Sequence, residues 1–269
     1  MEARNAAGNV LSLPLQDISG GYTLKDITGL DPVKATIVSS SYADRDGTQY
    51  QSSRRDARNI VLKIGFSADW IVSTPKQLRD NLYKWFMTKS QVSLRFYEDN
   101  GLIVEAVGRV ESNVSPRFTA DPDSTISVLC PLPDFIGMSN ELISGSSVST
   151  AVESNLNYIG TIETPFIFTL NINRAVSGFT IYQRGPDGVQ NSLDFIANLI
   201  AGDVINVSTV PGNKYATLTR AGATGSILYG VSPYSSWLTF APGTNYLRLL
   251  ISGNPVPYTI AYTNKYGGL

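Results

Sequence analysis

From Asn59 to Phe66 the chain alternates without a break: Ile60, Leu62, Ile64 and Phe66 fall on one face, Val61 and Lys63 on the other. Successive side chains leave a strand on opposite sides, so a two-residue period marks a half-buried strand. The same period returns in Val92, Leu94 and Phe96 against Ser93 and Arg95, in "LIVEAVGRV" from Leu102 to Val110, and from Lys34 to Ser39. Further on, "PFIFTLNI" places Phe166, Phe168, Leu170 and Ile172 on one face, and "GFTIYQ", "DVINVS", "KYATLT", "YLRLLIS" and "YTIAY" follow. Turn formers part them: Gly185-Pro186-Asp187-Gly188, Pro211-Gly212-Asn213 and Pro242-Gly243-Thr244-Asn245. Many short strands at such intervals predict a mainly β fold, and in the second half a sandwich of two antiparallel sheets.

One stretch breaks the period. Thr74 suits a helix cap, Pro75 the first helical position, and Gln77 completes a T-x-x-Q capping box. Leu78, Leu82 and Phe86 then recur every four residues, with Trp85 beside them, and Lys84 and Lys89 stand where the helix dipole favours cations. The spacing predicts one core-covering helix over about 74–88.

The halves differ in charge. Residues 1–135 hold 15 Lys and Arg against 16 Asp and Glu, and residues 136–269 hold 6 against 6. The expected organisation is a first β domain over 1–138 carrying the helix, a Ser-rich connector over 139–155, and a second β domain over 156–269. The start of the chain has neither the basic opening nor the apolar run of a signal peptide, and no window nears the ~20 apolar residues of a membrane span. A soluble protein made in a cytoplasm is expected.

Reactive groups are few. The 269 residues include no histidine and one cysteine, Cys130, and the net charge is −1. The commonest general base and metal ligand is missing, no intrachain disulfide can form, and the basic excess of a dedicated nucleic-acid binder is absent. Cys130, at the end of a strand pattern, reads as a buried small hydrophobe rather than a reactive thiol. The second half's carboxylates, among them Asp187 and Asp203, sit in turn contexts and give no sign of a hydrolase pair. Asp44-Arg45-Asp46-Gly47 lacks the later ligands of a calcium loop and reads as a hairpin tip. No phosphate-binding glycine loop is present. No catalytic residue, cofactor or metal site is expected.

Two features remain as candidate sites. Arg54, Arg55 and Arg58 crowd into "SSRRDARN", with Asp44, Asp46 and Asp56 nearby. We read the segment as a hairpin arm on which Arg54 and Arg58 share a face; near-cancelled charge favours Arg–carboxylate contacts to a neighbouring subunit over a grip on DNA. The second half is rich in tyrosine, and Tyr234, Trp237 and Tyr246 are candidates for stacking on a host surface glycan, though core packing also accounts for such aromatics.

The order of several phrases resembles the distal tail proteins of long, non-contractile-tailed bacteriophages. These are "GLDPVKATIVSSSYADRDGTQYQSSRRDARNIVLKIGF", the helix "LRDNLYKWFMTKSQVSLRF", the exit "RFTADPDSTISVLCPLPDF", then "LNYIGTIETPFIFTLNI", "LIAGDVINVST" and "SSWLTFAPGTNYLRL". The resemblance implies a sandwich or split-barrel-like first domain with one helix, a galectin-like second domain and no enzymatic activity. It implies a homohexameric ring built from first domains, second domains projecting outward, and a virion location at the tail tip. The implied partners are the tail tube protein, the hub, and receptor-binding or tape-measure proteins, with DNA only in transit. Arg54, Arg55, Asp56 and Arg58 are then the expected subunit contacts, and glycan recognition by the second domain is the alternative function.

Overall fold

The computed structural model describes residues 1–14, 20–117, 119 and 121–269. It divides into two units. The first comprises Met1–Met138 with Tyr266–Leu269, the second Ser139–Lys265. The chain's last four residues therefore belong with its beginning.

The strands of the first unit are β1 (Glu2–Asn5), β2 (Val10–Ser12), β3 (Tyr22–Thr28), β4 (Ala35–Ser41), β5 (Thr48–Arg55), β6 (Arg58–Phe66), β7 (Gln91–Tyr97), β8 (Ile103–Val114), β9 (Asp123–Cys130) and the start of β10 (Phe135–Ser146); helix α1 (Pro75–Trp85) lies between β6 and β7. An antiparallel sheet runs β3-β6-β9-β8-β7-β1-β2. The long β8 holds it together. Its first half pairs with β7, and its second half pairs with β9 from Arg109 on, across a register break between Val110 and Ser112. A bulge bends a strand and sharpens its twist, so this break turns one half of the sheet over the other while leaving it open. The inward residues meet in one core: Ile60, Leu62 and Ile64 from β6, Val92 and Leu94 from β7, Val104 from β8, Val128 from β9, Leu82 from the helix and Phe86 at its C-terminal cap.

The helix forms as its sequence dictates. Thr74 Oγ1 accepts from Gln77 N at 3.3 Å, and Thr74 N donates to Gln77 Oε1 at 2.9 Å. Leu78 and Leu82 face the core, and Tyr22 Oη donates to Leu78 O at 2.9 Å. The helix stops at Trp85, earlier than expected. Lys89 lies beyond it with φ 70°, and its carbonyl accepts from Arg109 at 3.1 Å, so only Lys84 serves the last turn. Thr74→Ala removes the cap and is expected to cost about 1 kcal/mol of stability, read by thermal denaturation.

The second unit begins with the remainder of β10 and continues with β11 (Ser154–Tyr158), β12 (Thr164–Asn171), β13 (Val176–Arg184), β14 (Gln190–Leu199), β15 (Val204–Ser208), β16 (Tyr215–Arg220), β17 (Ala223–Ser226), β18 (Thr239–Phe240), β19 (Gly243–Leu250) and β20 (Pro257–Tyr266). One sheet runs β17-β16-β15-β12-β20, the other β11-β19-β13-β14. Between them lies an aromatic core in which Phe166 stacks on Phe240 at 4.6 Å and Phe179 on Phe195 at 4.9 Å. The segment 139–155, read from sequence as a connector, holds the end of β10 and the start of β11 and belongs to this unit.

Two motifs of this unit have local causes. Asp203 is buried, accepts from Ile200 N at 2.8 Å, and binds Arg220 through both oxygens at 2.8 and 2.6 Å. Asn245 closes the Pro242–Asn245 turn by donating to Ala241 O and Gly243 O at 2.7 and 3.0 Å. The hydrogen bonds from Arg220, with that from Ile200 N, hold the Asp203 carboxyl below its ordinary value. A depressed folded-state pKa stabilises the fold above the ordinary carboxylate range, and that stabilisation fades as pH falls from there through the lowered value. Asp203→Asn is therefore expected to lower the melting temperature at neutral pH and to flatten its decline below about pH 4, as followed by circular dichroism.

Candidate functional site

Strands β4 and β5 form a two-stranded sheet with no third strand among the described residues, paired from Ala35↔Arg55 to Ser41↔Thr48 with a register break between Val38 and Ser39. Asp46 and Gly47 lie in the connection, where Gly47 has φ 93°, in agreement with the expected hairpin tip. An isolated hairpin is marginal in water, and this one also displays apolar groups. Ile37 and Tyr50 are 65% and 62% exposed, and both stand on one face because paired residues share a side and the ladder places Ser39 opposite Tyr50. A second apolar point precedes α1, where Trp70, Ile71 and Val72 are exposed on a turn held by Asp69, whose Oδ1 accepts from Ile71 N at 3.0 Å.

The arginine run does not form one arm. The chain turns at Asp56–Ala57, so Arg54 and Arg55 close β5 while Arg58 begins β6, and Arg54 and Arg58 share no face. Arg54 is exposed opposite Thr36. Asp56 accepts from Thr36 Oγ1 at 3.0 Å, and Arg55 grips both carboxylate oxygens of Asp134. Arg58, expected at a subunit contact, points inward instead: it is 0% exposed. Its Nε donates to Pro133 O at 2.8 Å, one terminal nitrogen to Gly29 O and Asp31 O at 2.6 and 2.9 Å, and the other to Gly267 O at 2.5 Å. The guanidinium lies 4.1 Å above the centre of the Phe135 ring. Burial pulls Arg58 below the ordinary arginine value. It also pushes the neighbouring Cys130 thiol up to about 11, so Cys130 stays protonated at neutral pH, as its strand context suggested.

Arg58 and Arg55 thus fix the root of the hairpin. Gly29 and Asp31 lie where the chain enters β4, and Asp56 where it leaves β5. Gly29 has φ 89°, and a Cβ there would stand 2.0 Å from Asn59 O, so only glycine fits. A carbonyl is no sequence motif, and none of Gly29, Asp31, Pro133 or Gly267 carries a signal that marks it as a partner of Arg58. Asp134 is the exception, a carboxylate in the run "CPLPDF" that could have been matched to an arginine by charge alone.

In the second unit the candidate aromatics stand apart on three elements. Tyr234 is 95% exposed on the loop beside β14, where Ser232 N and Ser236 N donate to Asp194 O and Ser192 O. Trp237 packs against the core beneath Lys214, 5.3 Å from its ring centre. Tyr246 lies on β19 under Arg184, whose guanidinium is 4.0 Å from the ring centre. Register explains that last pair and a second one missed from sequence: Arg184 is directly opposite Tyr246, and Arg248 directly opposite Tyr182, which it covers at 4.2 Å.

Residues 16–130 match the phage tail protein RIFT-related domain, and residues 159–266 the C-terminal domain of the siphovirus-type tail component. No curated protein matches the sequence. Among solved structures, the chain is similar to the distal tail protein Dit (gp 19.1) of phage SPP1, described as a paradigm of the hub adsorption apparatus in phages infecting Gram-positive bacteria. The identity is 14%, the TM-score 0.66, and 98% of each chain is covered. Chains of the phage P2 baseplate in its activated conformation also align, at 8% identity and TM-score 0.46 over 100% of this chain and 99% of that one. The expected fold is borne out: mainly β, with a sandwich-like first unit bearing one helix and an antiparallel sandwich in the second. With its two tail-protein domains in this order, the chain belongs to the distal tail proteins of siphophages, structural components of the virion tail.

Proposed function

We propose that copies of this chain close into a ring, a homohexamer, at the tip of the phage tail, and that the first unit makes the subunit contacts. The ring joins the tail tube protein above it to the hub below, which carries receptor-binding or tape-measure proteins, and its hole lets DNA pass. The hairpin β4–β5 carries this reading. It exposes Ile37, Val38, Tyr42 and Tyr50, pairs with no further strand among the described residues, and is held at its root by Arg55 and the buried Arg58. A rigidly rooted apolar arm is pre-organised to lie on another surface, which lowers the ordering cost of association. The near-neutral balance suits a conduit through which DNA must slide, since each net phosphate contact would add salt-dependent grip.

Of the sequence candidates, Arg54 remains a proposed contact to the next copy, while Arg55, Asp56 and Arg58 orient the arm from within. The test is a photo-crosslinking residue at position 37. Ring closure through the arm predicts covalent ladders reaching six copies, whereas crosslinks confined to one chain at assembling concentrations would overturn it.

A further inference from the structure

The two ends of the β4–β5 hairpin are held differently. Where the chain leaves β5, Asp56 N donates to Lys34 O at 3.1 Å and Arg55 grips Asp134. Where it enters β4 there is no ladder: between the end of β3 at Thr28 and the start of β4 at Ala35 the chain forms neither strand nor helix. Irregular backbone keeps a fixed course only where its polar groups find partners and its side chains find packing.

On the entry side these come from residues 267–269. Gly267 O accepts at 2.5 Å from the Arg58 guanidinium, which also holds Gly29 O and Asp31 O. Gly268 lies against Pro32: a Cβ there would stand 2.8 Å from Pro32 Cδ, 3.0 Å from Pro32 N and 3.2 Å from Asp31 C. Leu269 N donates to Leu30 O at 3.1 Å, and Leu30 and Leu269 both pack on the first unit's core. Tyr266, buried in that core, anchors the segment at its start. Three consecutive residues thus hold the stretch from Gly29 to Pro32, and a glycine at 268 lets the two backbones meet this closely.

We infer that residues 267–269 are a strap that aims the β4–β5 arm. Closed, the strap fixes the arm's direction; open, it leaves the first unit its core while the arm swings about the stretch from Gly29 to Lys34. Gly267 is 209 residues from Arg58, and a contact so distant in sequence closes late, because the chain between must be ordered first. The strand β20 leads directly into the strap, so a chain acquires an aimed arm only once β20 is in place. A copy that has folded no further than its first core is thereby kept from assembling. The inference rests on the ring reading only for what the aimed arm is used for.

The test is pulsed electron spin resonance on the full chain, with nitroxides at Ser52→Cys on β5 and Lys76→Cys on α1; Cys130 is fully buried and takes no label. The otherwise unaltered chain is expected to give one narrow distance distribution. Gly268→Val, which cannot lie against Pro32, is expected to at least double its width, and so is deletion of Gly268 and Leu269. A control pair, Lys76→Cys with Glu98→Cys, is expected to stay narrow in all three chains. The inference is overturned if the arm is already broad with the strap intact, or if both variants keep the narrow width. It is equally overturned if the control pair broadens with the arm, which would make the strap ordinary core packing. Because the free chain is measured, a broadened arm in a protein that forms no rings sustains the strap and counts against the ring. An unchanged width in variants that lose their rings counts against the strap alone.

Discussion

Arg58→Ala is expected to destabilise the first unit by about 4 kcal/mol while leaving the second unit's own unfolding unchanged. The side chain is fully buried, and its removal strips four backbone carbonyls of their shared donor. A hydrogen bond from a charged donor is worth about 1.5–3 kcal/mol, and a buried acceptor left unpaired costs about 1–3 kcal/mol. Removing one member of a buried charged arrangement typically costs about 3–5 kcal/mol, so the sum saturates well below the four bonds added together. Arg58→Lys keeps the charge but reaches fewer of the four carbonyls and forfeits the flat stacking on Phe135, so about half the loss is expected. Hydrogen exchange resolved along the chain separates the units. Protection should fall around Gly29, Asp31, Pro133 and Gly267 and throughout β6, and hold in β12 to β20. An Arg58→Ala chain as protected as its parent would show that the guanidinium is spectator rather than staple.

Ile37→Asp combined with Tyr50→Asp is expected to abolish assembly and spare the fold. Both residues are more than half exposed on one face of a hairpin outside either core, so the free chain gives up little by the change. In the proposed ring the same positions are covered, and burying two unpaired carboxylates per contact costs several kcal/mol. At 1.4 kcal/mol per tenfold, the association constant should fall by at least about 100-fold. Light scattering is expected to show the parent near six times 29.1 kDa under assembling conditions and the variant near a single copy, with equal melting temperatures. A variant that assembles like its parent would place the subunit contact elsewhere, with the exposed turn Trp70–Val72 as the next surface to change.

Much of this architecture is legible in the residues because its cause is local. The alternation from Ile60 to Phe66 becomes β6, that from Val92 to Phe96 becomes β7, and Thr74, Pro75 and Gln77 start the helix by making the bonds their spacing allows. The end of β10 was obscured because its inward positions hold Glu141 and Gly145 beside Ile143, so the apolar signal nearly vanishes in a Ser-rich run. β14 carries the same alternation, with Leu193, Phe195 and Leu199 inward and Asp194 and Asn198 outward, blurred only by Ile196 on the outward face.

The candidate sites were harder to read, for a different reason. Arg58 finds its partners across distant sequence, Gly267 being 209 residues away, and those partners are carbonyls common to every residue type. The crowding of arginines was visible, but not that Asp56 and Ala57 split it between two strands, sending one arginine to solvent, one to Asp134 and one into the core. The Tyr182–Arg248 pair depends on the register between strands that are more than sixty residues apart, which alternation within either strand cannot supply. By contrast the isolated hairpin could be anticipated: its Asp-Gly turn was explicit, and "TQYQSS" offers no apolar alternation with which to enter a core.

The central claim, that this chain builds a closed ring through its first unit, is tested most directly by electron microscopy of the purified chain, alone and mixed with the tube and hub proteins of its own tail. The account predicts six-fold particles with a central hole, in which density for residues 35–55 of each copy lies on its neighbour. Single, unassembled particles in both preparations, or a ring in which that hairpin touches no other copy, would contradict it.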